Sequence, residues 1–225
     1  MTAPERPSDP LSPVRVLGRR DAGGGMTLFA LDVPDALRES YARPGQYAYF
    51  ELGAEQGFFV LASREKHAPW EVLVRGGGGV ADAMLQAPDG VALGATPALG
   101  HGFPIEQARG SAVMVVVTAG SFAAARAAVL RRIDEGDASR TQLVLGARAP
   151  EDVPLRGDID AMKRAGVDVH VVISSEQGYV QHWLPRIWSA SGAWVFVAGA
   201  RPMMEAVMDA AVELGAPRDR VVSNV

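Results

Sequence analysis

The stretch from Ala112 to Gly136 constrains this chain more than any other. It opens on an unbroken apolar run, Ala112-Val113-Met114-Val115-Val116-Val117, rich in β-branched residues and too short for a helix, which predicts a strand buried on both faces. Thr118-Ala119-Gly120-Ser121 then reads as a turn. Beyond it Phe122, Ala125, Val129, Leu130 and Ile133 fall near helical spacing up to Gly136, where a left-handed cap needs no Cβ. A strand, a tight turn and a helix in this order place the turn at the carboxyl end of a parallel strand. Free helix N–H groups and the helix dipole favour an anion there, and a nucleotide phosphate is the usual guest. Thr118 to Ala124 matches neither G-x-G-x-x-G nor a P-loop, so a purely structural turn is the competing reading.

Composition narrows the partners. The formal charge of −4 comes from interspersed acids and bases with no basic block, which argues against nucleic acid or an anionic membrane surface as partner. The chain has no cysteine, so disulfides, thiolate chemistry and iron–sulfur ligation are all excluded. Its apolar runs are far shorter than a membrane span, and Met1 to Pro13 is polar and proline-rich without a signal-peptide core. The expectation is a soluble cytoplasmic protein with a loose tail over residues 1–13, without membrane insertion.

From Val14 to about Pro104 the pattern changes over short distances. Val14 to Leu17, Thr27 to Val33, Gln46 to Leu52, Phe58 to Leu61, Trp70 to Arg75 and Val91 to Leu93 are expected strands. The turn chemistry between them, Gly23-Gly24-Gly25, Arg43-Pro44-Gly45 and Pro88-Asp89-Gly90, predicts an antiparallel β-barrel. A helix over Val80 to Leu85 starts directly after Gly76-Gly77-Gly78-Gly79, where backbone can approach a ligand closely. After Ala112 the rhythm becomes that of a parallel α/β sheet. Helices are expected at Phe122 to Glu135, Ile159 to Arg164 and Met203 to Leu214, alternating with strands at Gln142 to Leu145, Val167 to Ile173 and Trp194 to Val197. Ser174 to Gly192 reads as irregular and able to cover a cleft. Two domains follow, a barrel over 14–105 and an α/β domain over 112–225, with the boundary near Glu106 to Gly110.

In order and spacing, these stretches resemble the ferredoxin reductase superfamily, in which a flavin-binding barrel precedes a nicotinamide-binding α/β domain. The resemblance spans residues 14–225. It rests on Arg43-Pro44-Gly45-Gln46-Tyr47 at a strand entry, Phe58-Phe59-Val60-Leu61-Ala62-Ser63 at the flavin strand, and Gly78-Gly79-Val80-Ala81 at the phosphate helix. Further on, Gly100-His101-Gly102-Phe103-Pro104 is similar to the domain junction. Gly146-Ala147-Arg148 is similar to the second nucleotide loop, and Ala198-Gly199-Ala200-Arg201-Pro202-Met203-Met204 to the Cys-Gly-Pro-x-x-Met motif. The resemblance implies FAD at Phe58, Phe59, Val60, Leu61, Ala62, Ser63, Gly78, Gly79, Val80 and Ala81. It implies NAD or NADP at Gly120, Ser121, Gly146, Ala147, Arg148, Gly199 and Met203.

The departures fall on ligand-facing positions. Where the family's Arg-x-Tyr-Ser motif contacts flavin, this chain has Gly57, Phe59 and Val60, and the phosphate-helix serine is Ala81. A charged hydrogen bond contributes about 1.5–3 kcal/mol and a hydroxyl contact about 1 kcal/mol, so losing the set weakens flavin binding by roughly a thousandfold unless stacking by Phe58 or Phe59, or Arg64 or Arg75, compensates. On the nicotinamide side Ala119 to Ala124 stands where the family has Gly-Thr-Gly-Ile-Ala-Pro, and Ala198 replaces its cysteine. His101, His170 and His182 are scattered and not at metal spacing. The expected function is electron transfer from NAD(P)H through FAD to an unknown acceptor, which could be a protein. The cofactors carry that chemistry, and no side chain need act as acid or base. The alternative is a non-catalytic binding or assembly module of the same fold.

Overall fold

A computed structural model describes residues 7–8, 10–188 and 192–224. The tail expected over 1–13 therefore lies partly outside the described residues. Its last two residues do not belong to a tail, because β1 (Ser12–Gly23) begins at Ser12 and pairs Ser12 with Ala95 and Pro13 with Gly94. β1 is also much longer than Val14 to Leu17. Its register shifts between Val16 and Gly18 and again between Asp21 and Gly23, irregularities that bend an edge-to-edge ribbon and blur its alternation in the sequence.

Five more strands complete the first sheet: β2 (Met26–Asp32), β3 (Tyr47–Leu52), β4 (Glu55–Val60), β5 (Trp70–Arg75) and β6 (Ala92–Ala95). They run antiparallel in the order β4-β3-β6-β1-β2-β5, and a bridge between Leu61 and Val72 brings the two outer strands together into a barrel. Inward residues Val14, Val16, Phe29, Leu31, Phe50, Val72 and Val74 fill it. A short helix unforeseen in the sequence, α1 (Asp35–Ser40), buries Leu37 against this core, and α2 (Gly79–Gln86) covers it with Val80 and Met84.

The second sheet is parallel, in the order β11-β10-β7-β8-β9, from β7 (Val113–Thr118), β8 (Thr141–Ala147), β9 (Asp168–Ile173), β10 (Trp194–Ala198) and β11 (Val221–Ser223). Five consecutive residues of β7 are buried, as a strand covered on both faces requires. α3 (Phe122–Asp134) and α4 (Arg156–Arg164) cover one face, while α6 (Val180–Ile187) and α7 (Arg201–Glu213) cover the other. Ser174 to Gly192 is thus not irregular throughout, since α5 (Ser174–Gln177) and α6 lie in it. Pro185 sits inside α6 and removes one of its backbone hydrogen bonds, which is why the segment reads as broken. No helix among the described residues is long and apolar enough to cross a membrane.

One apolar core spans both sheets, joining Met26, Leu28 and Ala62 of the barrel to Phe122 and Val129 of α3. Arg126, 8% exposed, pins that junction. It donates to Ala62 O at 2.6 Å, to Glu71 Oε2 at 2.7 Å and to Asp158 Oδ2 at 2.6 Å. Burial opposes its charge, but Glu71 and Asp158 outweigh that and hold the guanidinium above its ordinary pKa.

Candidate functional site: a cavity at the sheet crossover

The parallel sheet changes direction between β7 and β10: the chain runs outward through β8 and β9 on one side and returns to β10 on the other. The carboxyl ends of β7 and β10 diverge there and leave a crevice, the usual binding place of an open α/β sheet. A cavity of about 610 Å³ opens along these ends, well within the range of small-molecule sites.

Three successive loops build it. After β7 the chain turns through a single 3₁₀ turn, Ala119–Ser121, into α3, and neither Thr118 nor Ser121 caps this start with its side chain. Thr118, Ala119 and Gly120 line the cavity, and space around Gly120 is open enough that an added Cβ would meet nothing within 4 Å. After β8 come Gly146, Ala147 and Arg148. Arg148 is exposed, and among the described residues its guanidinium has no hydrogen bond or ion pair, leaving a cation at the rim. After β10, Ala200, Pro202 and Met203 close the third side. A Cβ on Gly199 would overlap the Met203 methyl, so glycine there lets Met203 fold back over the strand end.

Five of the seven sequence-predicted nicotinamide positions, Gly120, Gly146, Ala147, Arg148 and Met203, thus meet at one cavity. Gly199 stands directly behind Met203, and Ser121 starts α3 without lining the cavity. Phe122, which follows the turn, is fully buried in the core that spans both sheets and leaves the turn clear. Arg75, considered from sequence for a flavin phosphate, lines this cavity instead, and sequence reasoning missed Tyr179 and Gln181, which also line it. Tyr179 is 65% exposed at the rim and presents an aromatic face. Gln181 Oε1 is buried without a hydrogen-bond partner among the described residues. The available signal was Gly178-Tyr179-Val180-Gln181 after an apolar strand: a positive-φ glycine turn that brings a new helix back over the strand ends.

The flavin positions fare differently. Phe58 points away from the barrel core, with its ring edge-on to Tyr47 and Tyr49 at 5.6 and 5.3 Å. Phe59 packs inward against Phe50, and Val60 packs on the interdomain core. Leu61, Ala62 and Ser63 are buried, Ser63 Oγ accepting from Glu71 N at 3.2 Å and Ala62 O from Arg126. Gly78 and Gly79 adopt positive φ, which suits only glycine, and part of the loop they form is satisfied from within. The amides of Gly77 and Gly78 donate to Asp82 Oδ1 and Oδ2, both at 2.9 Å. Val80 lies against Gly57, where a Cβ would come within 3.0 Å of Val80 Cγ1. Ala81 carries no polar side chain. Both helix starts lack a side-chain cap at the N-cap, and at the barrel Asp82 already accepts from two of the loop amides that precede α2.

No protein-family model and no curated protein sequence matches the chain. Solved structures do. The FAD/NAD-binding domain of nitric oxide dioxygenase from Vibrio cholerae superposes with a TM-score of 0.83 at 15% identity, covering 96% of this chain and 98% of that one. The Amycolatopsis cytochrome P450 reductase GcoB gives 0.81 at 18% identity, covering 97% of this chain and 71% of its own. A ferredoxin NADP+ reductase from Neisseria gonorrhoeae, with bound FAD and NADP, gives 0.77 at 13% identity over 96% and 99%. The chain has the ferredoxin reductase fold. Within that fold the barrel precedes the nucleotide-binding type of α/β domain, as the sequence motifs implied, and the cavity described above lies on the α/β side.

Proposed function

We propose that this chain binds a nicotinamide dinucleotide at the crossover cavity and acts as an NAD(P)H-dependent oxidoreductase. The observation that carries the reading is the 610 Å³ cavity at the carboxyl ends of β7 and β10, with an uncapped helix start, a free arginine and an exposed tyrosine on its rim. The α3 start and its dipole suit a phosphate. Arg148 suits a second phosphate or a ribose edge, Tyr179 offers a face to the adenine, and Gln181 Oε1 can accept from its amino group. Met203 and Gly199 leave an apolar wall where a nicotinamide ring can lie.

A flavin in this fold supplies the ring that accepts hydride, and the fold neighbours are reductases of that kind. The protein's own contribution on the nicotinamide side is position: it fixes the dinucleotide against the junction that Arg126 holds rigid. A protein electron acceptor and a cytoplasmic location belong to this reading, on the strength of the sequence. The closed phosphate loop of the barrel favours a second reading, a module that binds nucleotide without turnover.

Titration of the purified protein with NADH and NADPH, followed by nicotinamide fluorescence, tests the first step. Saturable binding of either that is lost in Gly199→Val supports the site, and absence of saturation with both sinks it. Anaerobic oxidation of the bound nucleotide on addition of flavin and an artificial acceptor then separates the oxidoreductase from the module.

A further inference from the structure

The turn between β1 and β2 carries three consecutive glycines at positive φ, and the middle one is wedged between the barrel and the α/β domain. A Cβ on Gly24 would lie 2.5 Å from the carbonyl oxygen of Asp152 and 3.0 Å from its carbon. These are backbone atoms, which cannot swing aside as a side-chain tip can. A Cβ on Gly23 would meet Val153 O at an ordinary 3.5 Å, and one on Gly25 would meet nothing within 4 Å. Beside the wedge the Leu155 amide donates to Ala22 O at 2.5 Å, and Leu155, itself buried, is held at a left-handed φ of 48°. The loop after β8 thus rests on the barrel through its own main chain.

Both guanidinium groups on the cavity rim depend on that contact. Asp152 Oδ2 accepts from Ala149 N at 3.2 Å, which closes the turn directly after Arg148. On the barrel side Arg75 Nη2 donates to Gly24 O at 3.1 Å, and Arg75, Arg148 and Asp152 line the same cavity. Gly24 itself does not line it. Resting on the nicotinamide reading above, we propose that the β1–β2 hairpin is the barrel's share of the dinucleotide site and that Gly24 is its positioning residue. It sets the spacing of two cations, Arg75 through its carbonyl and Arg148 through Asp152, and the phosphates of a dinucleotide are held only where that spacing is kept. Asp152 is then a strut: its charge is unfavourable beside an anionic ligand, yet its hydrogen bond keeps Arg148 in place.

The test is NADH and NADPH binding, by nicotinamide fluorescence, to the full chain and to Gly24→Ala, Gly25→Ala and Asp152→Ala, with amide hydrogen exchange at Leu155 followed in each. Gly25→Ala imposes the same left-handed strain on the same turn without touching the loop, so it separates the wedge from the strain. Gly24→Ala is expected to weaken the preferred nucleotide about tenfold and to speed exchange at Leu155, while Gly25→Ala stays within about twofold of wild type. Arg148→Ala, which weakens the wild type, should add less than about twofold in the Gly24→Ala background. Asp152→Ala gives opposite signs for the two roles of that carboxylate: a strut predicts weaker binding, and a mere negative charge at the rim predicts tighter binding. That comparison holds even where Gly24→Ala does not fold. Equal losses in Gly24→Ala and Gly25→Ala, no loss in a folded Gly24→Ala, or tighter binding by Asp152→Ala each overturn the inference. Wild-type protein that binds neither nucleotide overturns the nicotinamide reading and takes the inference with it; wild-type binding without the pattern above overturns the inference alone.

Discussion

Two glycine-bearing turns in this molecule lead from a strand into a helix, and they have opposite fates. The turn after β7 delivers Gly120 to the rim of a cavity and leaves the α3 start without a side-chain cap. The turn after β5 folds Gly77 and Gly78 onto Asp82 of its own helix. Both offer amides at the positive end of a helix dipole. What separates them is one carboxylate placed four residues along α2 from Gly78, which satisfies the Gly77 and Gly78 amides from inside. A glycine-rich helix start is therefore only an invitation to an anion; the next turn of the helix decides whether a ligand or the protein itself accepts it.

The most damaging way to break the comparison is to detach the two regions from their common frame. Arg126→Ala leaves Glu71 and the Ala62 carbonyl without that donor at a buried junction and Asp158 with Arg20 alone, and is expected to cost about 3–5 kcal/mol, read as a lower denaturation midpoint with an unchanged m-value. Gly199→Val should leave the fold intact and push Met203 into the cavity, weakening NADH binding by tenfold or more, about 1.4 kcal/mol, in a fluorescence titration. Gly57→Arg restores the missing phosphate ligand in name only. Because Val80 fills its space, the variant is expected to lose about 1–3 kcal/mol of stability and to gain no preference for FAD over riboflavin. Pairing it with Val80→Ala and Asp82→Ala should create that preference, which sharpens the contrast between the two turns.

Smaller effects test the rims. Arg148→Ala should weaken dinucleotide binding by about 1 kcal/mol, and the difference should shrink in high salt because the guanidinium is exposed. At the barrel-to-α3 seam, burial alone would raise the Glu135 pKa. Hydrogen bonds from Arg109 and Arg131, at 2.8 and 2.9 Å, outweigh it and hold the carboxyl below its ordinary value. A depressed folded-state pKa means the contribution is complete above the unfolded carboxylate range, about pH 4.3, and disappears as the pH falls through the folded value. Arg109→Ala should therefore narrow the gap between stability at pH 7 and at pH 3, measured by denaturant unfolding.

Much of this was legible in the residues. The apolar run of β7, the helical spacing of α3 and the change from short alternating strands to alternating strand and helix were sufficient for the two sheets and their order, because burial on one or two faces writes a period into the chain. The convergence of Gly120, Gly146, Arg148 and Met203 was foreseen only through a family resemblance. Tyr179 and Gln181 were not, since Pro185 hid the helix that carries them. Nor could the sequence tell that Arg126, one arginine among many, is buried between the two sheets.

What the sequence determined by itself was the periodic part: which segments are strands, which are helices, and that glycine occupies both turns. Which turn is open was decided only in three dimensions. Whether an amide is free depends on where a carboxylate four residues away, and a valine facing a glycine on another strand, come to rest. Those contacts are set by packing and have no period along the chain.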